Sequence, residues 1–195
     1  VSMSEPVMAL HYHSGKDCSL EMELSLESQI HHQTSLFEKN GLLMEGQAPV
    51  SVAPPYYSCK NPIVYQEGLG IRFAFCLYVQ TDGKTVQQEN KLYIKDARNV
   101  FVYLSGLTDF EQKNFYLFRK KQMLERLRFY QYDRVKMAHL KEYAKYFDRV
   151  SFTLNDTKEN NFVLKMFYFV RYLMISSSKP GSQCTNLQGI WNHSM

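Results

Sequence analysis

Hydrophobic and polar positions alternate with a period of two through the first half of the chain. In the second half they recur at helical spacing. Leu20, Met22, Leu24 and Leu26 alternate with Glu21, Glu23 and Ser25, which predicts a strand with one buried and one wet face. Val7 to His13 alternates in the same way. The clearest strand is Ile71 to Gln80, where Ile71, Phe73, Phe75, Leu77 and Val79 share a face. Thr81-Asp82-Gly83-Lys84 follows and predicts a tight hairpin turn, because Asp-Gly tolerates the positive φ such a turn demands. Lys91 to Lys95 and Val100 to Leu104 continue the series as an antiparallel meander of the sandwich kind. A proline-rich stretch from Pro49 through Pro54-Pro55 to Pro62 reads as loop or sheet edge, since proline cannot donate to a ladder. Its Tyr56, Tyr57 and Tyr65 are placed to cover a core or line a groove.

After Gly106 the period changes. Phe115 to Tyr130 mixes aromatic residues with Arg119, Lys120, Lys121, Arg126 and Arg128. In Ala138 to Phe147, Leu140, Tyr143, Ala144 and Phe147 fall on one helical face. Asn161 to Ile175 is apolar almost all round, a pattern expected of a buried helix, and Lys179-Pro180-Gly181 follows its end. Strands followed by helices make the fold class α+β. We divide the chain into a β-sandwich over residues 1–108, a helical linker over 109–150 and the start of an all-α body over 151–195.

Composition narrows the functional classes. The chain of 195 residues is 45% hydrophobic and 22% charged, an ordinary globular balance that argues against disorder. The net charge of +4 is concentrated between Lys113 and Lys136, where eight cations face Glu111, Glu125 and Asp133. No nucleic-acid motif accompanies that run, so a solvated helix packing its aromatics on the sandwich is favoured over nucleic-acid binding. Cys18, Cys59, Cys76 and Cys184 form no Cys-x-x-Cys pair and no compact disulfide spacing; they are expected to be free and partly buried. No apolar run approaches the ~20 residues that cross a bilayer. Val1-Ser2-Met3 does not resemble a native start, which suggests an internal piece of a longer protein.

Residues 171–192 read RYLMISSSKPGSQCTNLQGIWN. This segment resembles the opening of the helical barrel in glycoside hydrolase family 95, the α-L-fucosidase type, where a helix end runs through Ser-Ser-Arg-Pro-Gly into Asn-Leu-Gln-Gly-Ile-Trp-Asn. Gly46-Gln47-Ala48-Pro49, Asn61-Pro62-Ile63-Val64-Tyr65 and Gly70-Ile71-Arg72-Phe73-Ala74 are similar to the N-terminal sandwich of that family. Tyr146 to Ser151 is similar to the close of its linker. The resemblance implies a sandwich, a helical linker and the first helix of an (α/α)6 barrel that is incomplete here. It also implies hydrolysis of terminal α-L-fucosyl linkages with inversion, or of α-L-galactosides in some members.

Inversion needs an acid and a base about 6.5–9.5 Å apart so that a water fits between them. In the family a Glu serves as acid, and an Asp assisted by an Asn-x-Asn segment activates the water. All of these are expected beyond Met195, so no catalytic residue is assigned and the isolated chain is expected to be inactive. The resemblance implies no cofactor, a fucosylated glycan as the substrate of the whole enzyme, no nucleic-acid or membrane partner, and a secreted or periplasmic location. The chain departs from the family at Lys179, at Gln183-Cys184-Thr185 and at His193, and its connections over 106–134 and 155–160 look shortened.

The candidate substrate contacts are Asn186, Gln188, Trp191 and Asn192, where an indole plate and amide groups suit a sugar. The plainer alternative is that they fix the turn after the first barrel helix. His11 with His13, and His31 with His32, raise a metal site, but no carboxylate ligand spacing supports one and solvated histidines are expected. Asn155-Asp156-Thr157 and Asn192-His193-Ser194 match the glycosylation triplet, which arises often by chance. Glu45 and Glu67 are loop carboxylates with no partner for acid–base work and are read as structural or exposed. The third helix has no barrel to pack on within this chain, so exposed apolar surface and self-association are expected.

Overall fold

A computed structural model describes residues 1–54, 56–110, 113–178, 181–182 and 184. The architecture is α+β, with antiparallel sheets first and helices after, as the sequence pattern predicts. The chain divides into two compact units. The first comprises Val1–Ser2 and Pro6–Val135, and the second comprises Met3–Glu5 and Lys136–Met195.

Among the described residues of the first unit ten strands follow in order: β1 (Met8–His13), β2 (Leu20–Leu24), β3 (His32–Phe37), β4 (Gly41–Gln47), β5 (Ser51–Val52), β6 (Ile63–Val64), β7 (Arg72–Thr81), β8 (Lys84–Gln88), β9 (Lys91–Ala97) and β10 (Asn99–Thr108). A five-stranded sheet has the order β1-β10-β7-β4-β3, a three-stranded sheet the order β2-β9-β8, and β5 pairs with β6 alone. All pairings are antiparallel.

Leu42, Leu77, Val79, Val100 and Val102 of the larger sheet pack with Leu92, Ile94 and Ala97 of the smaller one. On the opposite face, Ala74, Cys76 and Tyr103 pack with Tyr116, Met123 and Leu127 of helix α1 (Tyr116–Leu127) and with Val7 and Val135. The central strand β7 is therefore covered on both sides. This explains its nearly unbroken apolar run from Phe73 to Val79, which a strand with one wet face would not carry. Phe75 remains 38% exposed. Its ring lies over Gly106, where an added Cβ would meet the ring at 2.3 Å.

The expected meander is corrected in one respect. Asp82-Gly83 does not close a hairpin, because β7 and β8 belong to different sheets. The connection is a corner that carries the chain from one layer to the other. Asp82 is used there as an acceptor: Oδ1 takes the backbone N–H groups of Arg98 at 2.8 Å and Asn99 at 2.9 Å, and Oδ2 takes Asn99 Nδ2 at 3.0 Å. Gly83 is required by close approach rather than by a positive φ, since a Cβ would meet Lys95 O at 2.5 Å. The two-residue hairpin lies one strand later, between β8 and β9. Glu89 (φ 49°) and Asn90 (φ 59°) both adopt the left-handed conformation that matches strand twist.

The hydrogen bonds from Asn99 and Arg98 hold the Asp82 carboxyl down to about 2. A carboxyl depressed on folding adds stability above its unfolded value, and that stability is lost as the pH falls through the folded value. Urea midpoints are therefore expected to decline between about pH 4 and pH 2. Asp82→Asn should flatten that part of the profile, and an unchanged profile would remove Asp82 as a cause.

The second unit holds most of α2 (Tyr132–Phe147) and all of α3 (Lys158–Ser177). Thr157 caps α3, its hydroxyl accepting from the Asn160 N–H at 3.2 Å. This gives the Asn155-Asp156-Thr157 triplet a structural role. Tyr143 and Phe147 of α2 pack against Tyr172 and Tyr168 of α3 at ring separations of 6.1 and 5.5 Å. The guanidinium of Arg171 donates to the carbonyls of Tyr146 at 3.0 Å, Phe147 at 2.7 Å and Val150 at 2.8 Å. The last carbonyls of a helix have no intrahelical donor, so Arg171 supplies what the end of α2 needs and ties α3 to it.

The outer side of α3 is exposed, as expected of an apolar helix with no barrel to pack on within this chain. Phe162 is 65% and Met174 64% accessible. Among the described cysteines only Cys76 is buried; Cys18, Cys59 and Cys184 are exposed, which corrects the expected partial burial. No helix among the described residues is long and apolar enough to cross a membrane.

Candidate functional site

The substrate-contact candidates Asn186, Gln188, Trp191 and Asn192 lie outside the described residues, as does the triplet beginning at Asn192. Among the described residues, two of the three segments that resemble the sandwich of the hydrolase family meet at one place. Gly46-Gln47 ends β4, Arg72 begins β7, and Gln47 stands opposite Arg72 in the register. These two strand ends are the two ends of the proline-rich loop.

Each residue there has a defined task. Gln47 Nε2 donates to the carbonyls of Gln66, at 3.0 Å, and Leu69, holding the returning limb of the loop. Gly70 sits at φ +94°, and a Cβ would lie 2.3 Å from Ala48 O, so conformation and space both demand glycine. Arg72 Nε donates to Asp109 Oδ2 at 2.8 Å, and the Arg72 backbone N–H donates to Oδ1 at 2.9 Å. The Asp109 N–H returns a bond to Arg72 O at 3.0 Å. The guanidinium lies over the Tyr116 ring, 4.6 Å from its centre. Gln47, Gly68, Gly70, Arg72, Asp109 and Lys113 line a shallow cavity of about 140 Å³.

The electrostatics of this cluster are those of a structural clamp. Burial alone pushes the Asp109 carboxyl upward, but the hydrogen bonds and charge of Arg72 outweigh it and hold the group below its ordinary value. A general acid working near neutrality needs the opposite shift. Burial pushes the neighbouring Tyr116 phenol up to about 12, so it stays neutral. Glu45 is paired with Lys120 at 2.6 Å. Glu67 is exposed.

The remaining candidates stay apart. His11 Nε2 and His13 Nδ1 both bond to Asn99 Oδ1, at 3.2 and 3.0 Å, and His11 stacks on Phe101 at 4.2 Å. His31 stacks on Tyr65 at 3.8 Å, and His32 Nδ1 bonds to Ile30 O at 2.8 Å. Among the described residues, no group of three or more His, Cys, Asp or Glu is placed to hold a metal ion. Tyr56 and Tyr57 are 88% and 65% exposed and cover no core. Sequence reasoning did not foresee the Arg72–Asp109 clamp. Asp109 follows a strand with no local signal of burial, and its partner is 37 residues away.

Comparison with known proteins gives two successive family matches. Residues 1–113 match the glycosyl hydrolase family 65 N-terminal domain, and residues 131–195 match the glycosyl hydrolase family 95 catalytic domain. The curated protein alpha-L-fucosidase 2 of Arabidopsis thaliana is 27% identical over 230 residues, covering 98% of this chain and 27% of the relative. The chain thus spans about a quarter of the length of that relative. The matched stretch of 230 residues exceeds the 195 residues here, so the relative carries segments without a counterpart in this chain. Both domain matches, the order of the sequence motifs and the sandwich-then-helix architecture agree, and the chain belongs to glycoside hydrolase family 95.

Proposed function

We propose that this chain forms the N-terminal sandwich, the helical linker and the entry to the catalytic barrel of an inverting α-L-fucosidase-type enzyme acting on terminal fucosyl residues of glycans. In this reading residues 1–108 are the sandwich, 109–150 the linker and 151–195 the barrel entry. The similarity to alpha-L-fucosidase 2 supports the sugar class. Asn186, Gln188, Trp191 and Asn192 remain the proposed contacts to the sugar or its pocket. The whole enzyme is proposed to be secreted or periplasmic.

We further propose that these 195 residues hydrolyse nothing by themselves. The observation that carries this is the state of the carboxylates beside the sheets: Asp109 is locked to Arg72 and Glu45 to Lys120. Inversion needs two carboxyl groups facing one another across a water-sized gap, one of them protonated. The purified chain is expected to release no aryl alcohol from an aryl α-L-fucoside above the rate of buffer. Release that scales with protein and survives repurification would overturn the reading.

A sandwich that binds glycan or a partner chain without catalysis is the rival, motivated by the aromatic loop from Tyr56 to Tyr65, in which Tyr56 and Tyr57 are exposed. Saturable binding of a fucosylated oligosaccharide, abolished by Tyr56→Ala with Tyr57→Ala, would favour it. Preference of the whole enzyme for an aryl α-L-galactoside would shift the substrate to the other sugar of the family.

A further inference from the structure

The basic run along α1 divides into two sides. Lys120 and Arg128 pair with Glu45 and Glu38, at 2.6 and 2.8 Å. Arg119, Gln122 and Arg126 lie at helical spacings of three and four residues and so share a different face. That face borders a cavity of about 160 Å³ against the segment Ser105–Leu107 of β10 and Pro6, with Met123 and Leu107 as its apolar lining. Neither guanidinium has an ion-pair or hydrogen-bond acceptor among the described residues, and the Gln122 amide is likewise without a partner there.

Two neutral hydroxyl groups complete the lining: Ser105 Oγ, which donates to Pro6 O at 2.6 Å, and the phenol of Tyr130. The cavity therefore offers two cationic forks and an amide around a half-apolar floor, and no anion of its own. Guanidinium forks match the paired oxygens of carboxylate and phosphate groups, and such charge-assisted bonds are roughly twice as strong as neutral ones. A nucleic-acid backbone would need cations spread along an open surface, whereas these two close on a recess that takes one small group.

We infer that the recess between α1 and Ser105–Leu107 binds a small oxyanion, a carboxylate or phosphate group, held by Arg119 and Arg126 with Gln122 beside them. The site lies on the face of the sheet that carries α1 and is independent of the catalytic reading. It stands or falls whether or not the chain proves to be part of a fucosidase.

Saturation-transfer NMR on the full chain, which reads the ligand and tolerates protein association, supplies the test. Glucuronate is the probe, glucose its neutral counterpart, and acetate and inorganic phosphate are competitors. Glucuronate is expected to saturate, glucose to give no saturable signal, and both competitors to displace the probe. Displacement by phosphate ahead of acetate would assign the site to phosphate groups, and the reverse order to carboxylates. Arg119→Gln and Arg126→Gln should each weaken binding about ten-fold, the worth of one charge-assisted bond. Lys121→Gln, on another part of α1, should leave it unchanged. Equal binding of glucose, no saturation, or an equal loss with Lys121→Gln would overturn the inference. Circular dichroism of each variant separates lost binding from lost folding.

Discussion

Replacing Arg72 by alanine is expected to cost the first unit about 2–3 kcal/mol of stability, visible as a melting temperature roughly 10 °C lower. The cost arises at Asp109 rather than at Arg72. The Asp109 side chain is 3% accessible, and its Oδ2 loses Arg72 Nε, its one side-chain donor among the described residues. One backbone N–H still bonds to Oδ1, and the arginine was 46% accessible, so water screens part of the loss. These two facts place the effect below the full cost of stranding a buried charge, about 3–5 kcal/mol. Asp109→Asn provides the internal control. In that background the buried group is neutral, and Arg72→Ala should cost less than half as much. An equal cost in both backgrounds would show that packing of the arginine on Tyr116, and not the charge, is what matters.

The pair also predicts an acid limb. The Asp109 carboxyl is held below its ordinary value in the fold, so it adds stability at neutral pH that is lost as the pH drops below about 4. Arg72→Ala should shorten that limb. The consequence for architecture is local: Arg72 and Gln47 sit where the proline-rich loop leaves and rejoins the sheet. Susceptibility of the 48–70 segment to protease is therefore expected to rise in the variant before global unfolding does.

The chain is also expected to associate at high concentration through α3. Phe162, Val163, Met166, Phe167, Val170 and Met174 line one apolar groove along the helix, and no residue of α3 is fully buried. Contiguous apolar surface of this kind promotes association. Sedimentation velocity should show species larger than monomer that grow with concentration. The triple variant Phe162→Gln, Met166→Gln and Met174→Gln should return the chain to monomer without loss of helix, since each replaced side chain is more than 40% accessible. A monomer at high concentration in the unaltered chain would contradict the expectation. Persistent association of the triple variant would move the cause elsewhere.

Much of this protein was legible in its sequence, because the controlling signals there are local. Alternation over Leu20 to Leu26 and Ile71 to Gln80 marks strands, since side chains of a strand point alternately to two faces. Spacing of three and four over Ala138 to Phe147 marks a helix, and the motif around Arg171 marks the family. What the sequence left open depends on partners distant along the chain. Asp-Gly at 82–83 carries the composition of a hairpin turn, yet the next strand found its partner in β9 and not in β7, so the turn became a corner between sheets. Strand β4 shows no clear alternation because Gly41 and Gly46 interrupt its pattern; each is glycine because neighbouring backbone approaches within 2.7 Å or less of where a Cβ would stand. Arg119 and Lys120 are adjacent and both basic, and only the fold turned Lys120 toward Glu45 and Arg119 toward the recess beside Ser105–Leu107. Composition and period are properties of a segment, and they determined the elements and the lineage. Which face is covered, which charge is paired and which is left free are properties of segments brought together, and those the tertiary structure decided.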